Sequence, residues 1–520
     1  MNKRIRNLLV VIVVIALLGG AFAALTLFVP PSSDTSSSTV PTTEKDNPTT
    51  LIDKLQENGQ QVTDPILSVT IKTLTDEYTL GMGTDKVLHL TDCDALPVNT
   101  DNTTALAQAL QTIVTKNTVV EKATDSQIAE FGLTHPVAVV NVTYYDNTTY
   151  AFSLGSLPLN GSGYYLLDPA TGNIYVMDAT FGDTLLASKL TYIGLSLYNA
   201  PAVSADDSSG QAVLQQLALS GTLRAKPVIL HMRTDSDPVQ FENSQYIITD
   251  PYHVDADAVT MTKLSQALDL SAVSAVAIHP TEDQLASYGL GTNKVYSVAI
   301  LTTAVQTDVL DADGNATGQK FYNSTANVIH LGKKDGDGNY YAQVNGLDAV
   351  YTISPDSVPW AELQYSDIAN AFMFLSQITN VSSITITMND SAFAGGNGQA
   401  MDFQLSHHPD AADLSSQLDV VMNGKNYDSD DFRNLYQVLM KVTRTGDAPA
   451  DPTGTPLLTV AINPINDTYE PLTVNFYFYD LNVAIARTNS GDTYKVSSTT
   501  LKFAMQQIQS YLDGKTVYVN

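Results

Sequence analysis

Two stretches of this chain read almost alike, "QIAEFGL" at Gln127–Leu133 and "QLASYGL" at Gln284–Leu290, and they lie 157 positions apart. Self-similarity at a fixed period constrains a fold more than composition does, because each copy has to be one supersecondary unit built again. The echo is not isolated. Gln108-Ala109-Leu110 returns as Gln266-Ala267-Leu268 at an offset of 158, "SLGS" around Gly155 returns as "HLGK" around Gly332 at 177, and Tyr165 and Tyr175 return as Tyr341 and Tyr351 at 176. The jump in offset marks an insertion in the second copy, and Val305–Asn327, "VQTDVLDADGNATGQKFYNSTAN", is polar and turn-rich enough to be it.

A catalytic motif used twice would keep its polar positions, yet Glu130 becomes Ser287. Besides Gln127 and Gln284, the echo keeps an apolar residue, an alanine, an aromatic and then Gly-Leu, the set wanted by a helix end packing onto a sheet. Gly132 and Gly289 are therefore expected in the left-handed conformation that closes such an element. The echo reads as a structural marker.

Periodicity orders the elements within a copy. In the first, "SVTIKT" and "KVLHL" alternate as strands do, and Asn102 or Thr103 caps a helix whose Leu106, Leu110 and Ile113 follow helical spacing. After the FGL segment, Val140, Val142 and Tyr144 alternate, Asp146-Asn147 turns, and Tyr150, Phe152 and Leu154 alternate back, which is a hairpin signal. A second pair follows in "GYYLLDPATGNIYVMD", turning at Pro169–Asn173. The second copy repeats this order with strands near Val228–Met232 and Tyr246–Thr249, a helix carrying Leu264 and Leu268, and strands near Tyr296–Leu301 and Val328–Leu331. A third, shortened copy starts at Val381, lacks an FGL segment, has a helix with Phe432, Leu435 and Leu439, and places Tyr494 where the others have Tyr175 and Tyr351.

The expected fold class is α+β: tandem repeats of a mainly antiparallel β-meander, with one helix before the sheet and another after it, behind one N-terminal transmembrane helix. The expected divisions are an anchor and cytoplasmic stub at 1–29, a stalk at 30–62, and units at 63–200, 226–370 and 380–520.

The anchor is Leu8–Val29, 22 residues without a charge. At about 1.5 Å per helical residue it reaches about 33 Å, enough for a hydrocarbon core of about 30 Å. Lys3, Arg4 and Arg6 precede it, so the positive-inside rule puts the N-terminus in the cytoplasm and the body outside, as a single-pass protein of the cell membrane. Ala21-Phe22-Ala23 would suit signal-peptide cleavage, but apolarity continues through Leu25, Leu27, Phe28 and Val29, which favours a retained anchor. Pro30–Thr50 is Ser, Thr and Pro with almost nothing to bury, a flexible stalk.

Charge and composition exclude more than they assign. Asp plus Glu is 54 against 26 Lys plus Arg, a net charge of −28, so the chain lacks the clustered cations that nucleic acid requires. One cysteine, Cys93, excludes an intramolecular disulfide framework and a multi-thiolate zinc site, and Asp92 and Asp94 beside it raise rather than lower a thiol pKa. None of the 8 histidines falls in a metal-spaced pattern; His407-His408 reads as a solvated loop. G-x-S-x-G, Walker A and G-x-G-x-x-G are absent. Asp311–Asn315 and Asp335–Asn339 lack the Gly and Glu that an EF-hand loop places at its sixth and twelfth positions, and read as hairpin turns. Trp360, in "SVPWAEL" at an expected helix start, reads as core rather than a sugar platform. No catalytic, cofactor or metal residue is assigned. The residues singled out are repeat markers: Phe131, Gly132, Leu133, Gly155, Tyr165, Tyr175, Tyr288, Gly289, Leu290, Gly332, Tyr341, Tyr351 and Tyr494.

The combination of anchor, helix, "(F/Y)GL" turn, strand ending in "LG" and "YY…(I/V)Y" hairpin resembles the bacterial family catalogued as domain of unknown function 4340. Phe131-Gly132-Leu133, Leu154-Gly155, Tyr164-Tyr165 and Ile174-Tyr175 carry the resemblance, and Tyr288-Gly289-Leu290, Leu331-Gly332, Tyr340-Tyr341 and Val350-Tyr351 repeat it. Coverage is roughly Asp64–Asn520. Members commonly carry Pro after the GL turn; the first copy has Pro136 three residues on, while the second has Gly291-Thr292-Asn293. The resemblance implies a membrane-attached, extracytoplasmic protein of the cell envelope, often encoded beside ABC-type transporters, and carries over no catalytic residues. The expected function is a non-catalytic accessory or scaffold of such a transport complex. The alternative is a surface module that binds cell-wall glycan or another extracellular ligand through exposed Tyr-rich sheet faces.

Overall fold

The computed structural model of the protein describes residues 47–57, 60–155, 163–201, 210–237, 244–292, 294–374, 376–467 and 469–519. The expected anchor Leu8–Val29 and all but the end of the stalk lie outside the described residues. Among those described, no helix is long and apolar enough to cross a membrane.

The chain is α+β and repeats one antiparallel sheet design three times. The first sheet is made of β2 (Ile66–Thr73), β3 (Glu77–Met82), β4 (Leu88–Leu90), β6 (Asn117–Val120), β7 (Ala138–Tyr144), β8 (Thr149–Leu154), β9 (Tyr164–Asp168) and β10 (Asn173–Met177). Their spatial order is β4-β3-β2-β7-β8-β9-β10-β6. Alternation sets its inner face: Ala138, Val140, Val142 and Tyr144 of β7 are wholly buried, and Ile66, Val69 and Ile71 of β2 join them.

The helix is placed differently from the expectation. Helix α1 (Thr100–Gln111) does not precede the sheet; it follows β4 and returns the chain so that β7 pairs antiparallel with β2. Strands β2 and β7 need a long connection, and a helix that buries Leu106 and Leu110 against the sheet supplies it. Its cap is Asn99, whose side chain accepts from the Asn102 amide, and not Asn102 or Thr103. Ile113 is buried but sits past the helix, in β5 (Thr112–Val114). Strand β5 pairs with β1 (Thr50–Asp53), which shortens the expected stalk: Leu51 and Ile52 are apolar neighbours that pack on the core instead of remaining in solvent.

The second sheet starts with β12 (Gln211–Ser220), upstream of the expected boundary at 226. It continues with β13 (Val228–Met232), β14 (Tyr246–Asp250) and β15 (Val254–Asp255), then β17 (Ser274–Ile278), β18 (Ser297–Leu310), β19 (Ala316–Lys334), β20 (Tyr340–Val344) and β21 (Ala349–Ile353). The order β15-β14-β13-β12-β18-β19-β20-β21-β17 matches the first sheet. The connecting helix Ala258–Leu264 is short, so Leu268 lies beyond its end. The insertion is not a loop: β18 and β19 pair from Ser297↔Leu331 out to Leu310↔Ala316, with one register shift between Asp308 and Leu310, making a hairpin arm that turns at Asp311–Asn315. Thr and Val, frequent in this segment, suit a ladder. Trp360 is 1% exposed, as expected of core, but it sits in a turn after the 3-10 helix Pro355–Ser357 rather than at a helix start.

The third sheet holds β22 (Val381–Met388), β23 (Ala400–His407), β24 (Leu418–Met422), β25 (Lys425–Tyr427), β26 (Leu458–Pro464), β27 (Leu472–Phe478), β28 (Val483–Thr488) and β29 (Thr493–Ser497). Its order, β25-β24-β23-β22-β26-β27-β28-β29, keeps the design but has no counterpart of β6 or of the FGL helix. Tyr175, Tyr351 and Tyr494 occupy one place in the three ladders, opposite Leu166, Ala342 and Ala486, and all three are buried. The first two units share one continuous hydrophobic core, whereas the third has its own. Strand β11 (Ser196–Tyr198) pairs with Leu270–Ser271 and ties the first unit to the second.

Candidate functional site

The echo resolves into one packing contact made twice. Each segment is a single helical piece, Asp125–Glu130 or Glu282–Tyr288, opened by a capping box in which Thr124 pairs with Gln127 and Thr281 with Gln284. That explains why the glutamines match. Gly132 and Gly289 have φ of 73° and 75°, left-handed as expected. Gly155 and Gly332 sit where a Cβ would overlap the carbonyl oxygens of Phe131 and Tyr288, with Leu133 and Leu290 close over them. The aromatic rings then meet Tyr165 and Tyr341 with centroids 4.6 Å apart in both copies. Gly332→Ala is expected to lower stability by about 1–3 kcal/mol through overpacking. Chemical denaturation checks it, with Gly336→Ala, whose Cβ would meet nothing within 4 Å, as the unaffected control.

The histidines and acidic turns carry no shared site. His407 Nε2 meets the Val381 carbonyl oxygen at 2.7 Å and His408 Nε2 meets Asp419 at 2.9 Å, so the neighbours engage different partners. Asp311 and Asp335 each accept two backbone N–H groups of their own turn, as hairpin loops do. Among the described residues no group of three or more His, Cys, Asp or Glu could hold a metal ion.

Cys93 is better connected than its sequence neighbours indicate. Its Sγ lies 3.6 Å from His279 Nε2, and His279 Nδ1 lies 2.7 Å from Asp348, so a thiol, an imidazole and a carboxylate follow one another across the boundary between the first and second units. The thiol is buried, and burial first, then Asp92, push its pKa up, with Lys189 opposing. The array joins two units.

A buried polar cluster lies at the junction of the second and third units, beside a cavity of about 210 Å³. Arg444 follows the helix Ser429–Met440 and Asp492 and Tyr494 lie at the start of β29; the bridge between Asp447 and Tyr494 and the Thr445 N–H donated to the Lys495 carbonyl oxygen bring guanidinium, acid and phenol together. Arg444 Nη2 donates to Asp492 Oδ2 at 2.6 Å, and Tyr365 Oη, from the second unit, donates to the same oxygen at 2.6 Å. The guanidinium lies 4.1 Å from the centre of the Tyr494 ring and 5.1 Å from that of Tyr365. Burial works against the Arg444 charge, but Tyr365 and Asp492 beside it leave its pKa raised. Burial raises both phenols, Tyr365 and Tyr494, so they stay protonated donors.

This pairing is incomplete. Arg444 is 8% exposed and Asp492 and Tyr494 1% each, yet among the described residues Arg444 Nε and Nη1, Asp492 Oδ1 and Tyr494 Oη have no hydrogen-bond partner. Buried polar groups are nearly always satisfied, and these four belong to residues that line one cavity. Phe372, His253 and Glu470 also line it, with His253 Nδ1 3.5 Å from Glu470. Of the repeat markers only Tyr494 belongs to this site; the rest are packing residues. Sequence reasoning missed Arg444 and Asp492, although an arginine just past an amphipathic helix in a chain poor in cations was a usable signal.

No curated protein and no solved structure matches the chain. The sequence pattern of one family, described as Domain of unknown function (DUF4340), matches residues 89–228 and 247–448, more than half of the chain and parts of all three sheets. With the FGL–LG contact present in both of the first two units, the chain belongs to the DUF4340 family.

Proposed function

We propose that this protein is a non-catalytic, membrane-anchored, extracytoplasmic scaffold of the cell envelope that holds subunits of an ABC-type transport complex. The observation that carries the reading is the hairpin arm of the second unit. Strand β12 covers β18 only as far as Gln306, and β20 covers β19 only from Ile329, so among the described residues Thr307–Leu310 of β18 and Ala316–Asn327 of β19 have no strand paired along their outer edges. Those edges therefore present free backbone N–H and C=O groups, with Leu310 and Phe321 exposed at 58% and 61%. An open edge of this kind is a template for strand addition by another chain.

Shortening the arm by replacing Thr307–Lys320 with Asn-Gly is expected to leave the thermal midpoint unchanged and to abolish co-purification of transporter subunits from native membranes. Wild-type protein that brings down no transporter subunits would sink the proposal. A second reading, a surface module for glycan, cannot use Tyr-rich sheet faces. Among the described residues only Tyr479 and Tyr518 are exposed, since the other strand tyrosines turn into the cores or lie half-covered.

A further inference from the structure

We propose that the outer edge of β19 is a dimerisation surface, along which a second copy of this chain adds its own β19 in antiparallel register. The dimer goes beyond the scaffold reading and does not depend on it, since Thr307–Leu310 of β18 keeps a separate edge for other chains. From Lys320↔Asp308 to Asn327↔Leu301 every residue of β19 opposes one of β18 in unbroken register, while none has a strand on its other side among the described residues. At about 3.4 Å per residue this edge reaches about 27 Å, longer than the roughly 17–20 Å of a common strand. The bulge that blunts the arm lies nearer its tip, between Asp308 and Leu310, and leaves this stretch regular.

Charge selects the occupant. Lys320–Asn327 contains no carboxylate in a chain with 54 Asp and Glu, and its one cation, Lys320, is paired with Asp308 across the ladder. Two copies carrying −28 each repel one another over most of their surfaces, and here both present a neutral edge. With Lys320 already paired, the edge holds no spare charge to select an acidic strand. The edge is also held in place before any partner arrives: Tyr322 Oη donates to Met232 Sδ at 3.7 Å and Ser324 Oγ donates to Gln215 Oε1, both on the body of the second unit. Little ordering is then left to oppose association. Alternation turns Phe321 to the other face, where it is 61% exposed. A strand paired antiparallel with its own copy is related to it by a twofold axis, so both edges offer the same donors and acceptors and the assembly closes at two. Both Phe321 rings then lie on one face of the joined sheet.

Analytical ultracentrifugation of the full chain in detergent, over a concentration series, is expected to show a monomer–dimer equilibrium. Phe321→Asp removes the exposed ring and sets like charges near the seam, so it should raise the dimer dissociation constant by about tenfold or more with the thermal midpoint unchanged. Phe478→Asp, at a ring 58% exposed on the third unit, should leave the dimer intact. In membranes, Asn323→Cys should give a covalent dimer with a short bis-maleimide, whereas the wild type, whose Cys93 is buried, should not. A wild-type chain that stays monomeric, or that carries only a foreign chain on the arm, overturns the proposal. A dimer that survives Phe321→Asp or the shortened arm, one lost equally in Phe478→Asp, or no cross-link through Asn323→Cys does the same. Dimerisation is read on the purified chain alone and transporter subunits by co-purification, so failure of one is distinguishable from failure of the other.

Discussion

Asp492→Ala is expected to destabilise the third unit by about 3–5 kcal/mol, because it leaves the Arg444 guanidinium buried without its only carboxylate partner. Arginine cannot escape by deprotonating, so the cost is not relieved by a pKa change. The Tyr365 hydroxyl loses the same acceptor, which also loosens the contact between second and third units. Urea denaturation followed by circular dichroism checks this, since the third unit has a core of its own and can unfold as a separate transition. The double variant Arg444→Met/Asp492→Leu is expected to recover most of the loss, because apolar residues of similar volume often replace a buried pair at little cost. A single variant within about 1 kcal/mol of wild type would show that the pair is solvated, against the burial described.

Trp360→Ala should be equally costly, about 3–5 kcal/mol, but in the core shared by the first and second units. The indole is 1% exposed, and the turn that carries it is held by Arg224, which donates to the carbonyl oxygens of Trp360, Ala361 and Leu363 and to Ser297 Oγ. Truncation leaves a cavity beside a buried cation whose partners are fixed by that turn. Circular dichroism is the suitable probe, because Trp360 is the only tryptophan and fluorescence disappears with it. A sugar platform at Trp360 would give the reverse, lost binding with stability intact.

Much of the fold was legible because its signals are local or periodic. Alternation in "VVNVTYY" and "TTYAFSL", turn residues at Asp146-Asn147, and the spacing of Phe432, Leu435 and Leu439 each act within a few residues, and each corresponds to an element with those residues inward. Repetition then carried the assignment from one copy to the next, down to the ladder place shared by Tyr175, Tyr351 and Tyr494. Where a local signal was ambiguous the reading slipped: "QAVLQQLALS" lacks clean alternation, so β12 was missed, and the polar insertion resembled a loop although it forms a ladder.

By itself, the sequence determined the number of units, the hairpins within them, and the glycines that close and receive the FGL turn. Only the tertiary structure decided which distant residues meet. Cys93 reaches His279 across 186 positions, Tyr365 reaches Asp492 across 127, and Arg444 reaches Asp492 across 48. Backbone periodicity is set by each residue's near neighbours. A buried polar cluster at the junction of two units depends on how whole sheets pack, and no spacing along the chain encodes that distance.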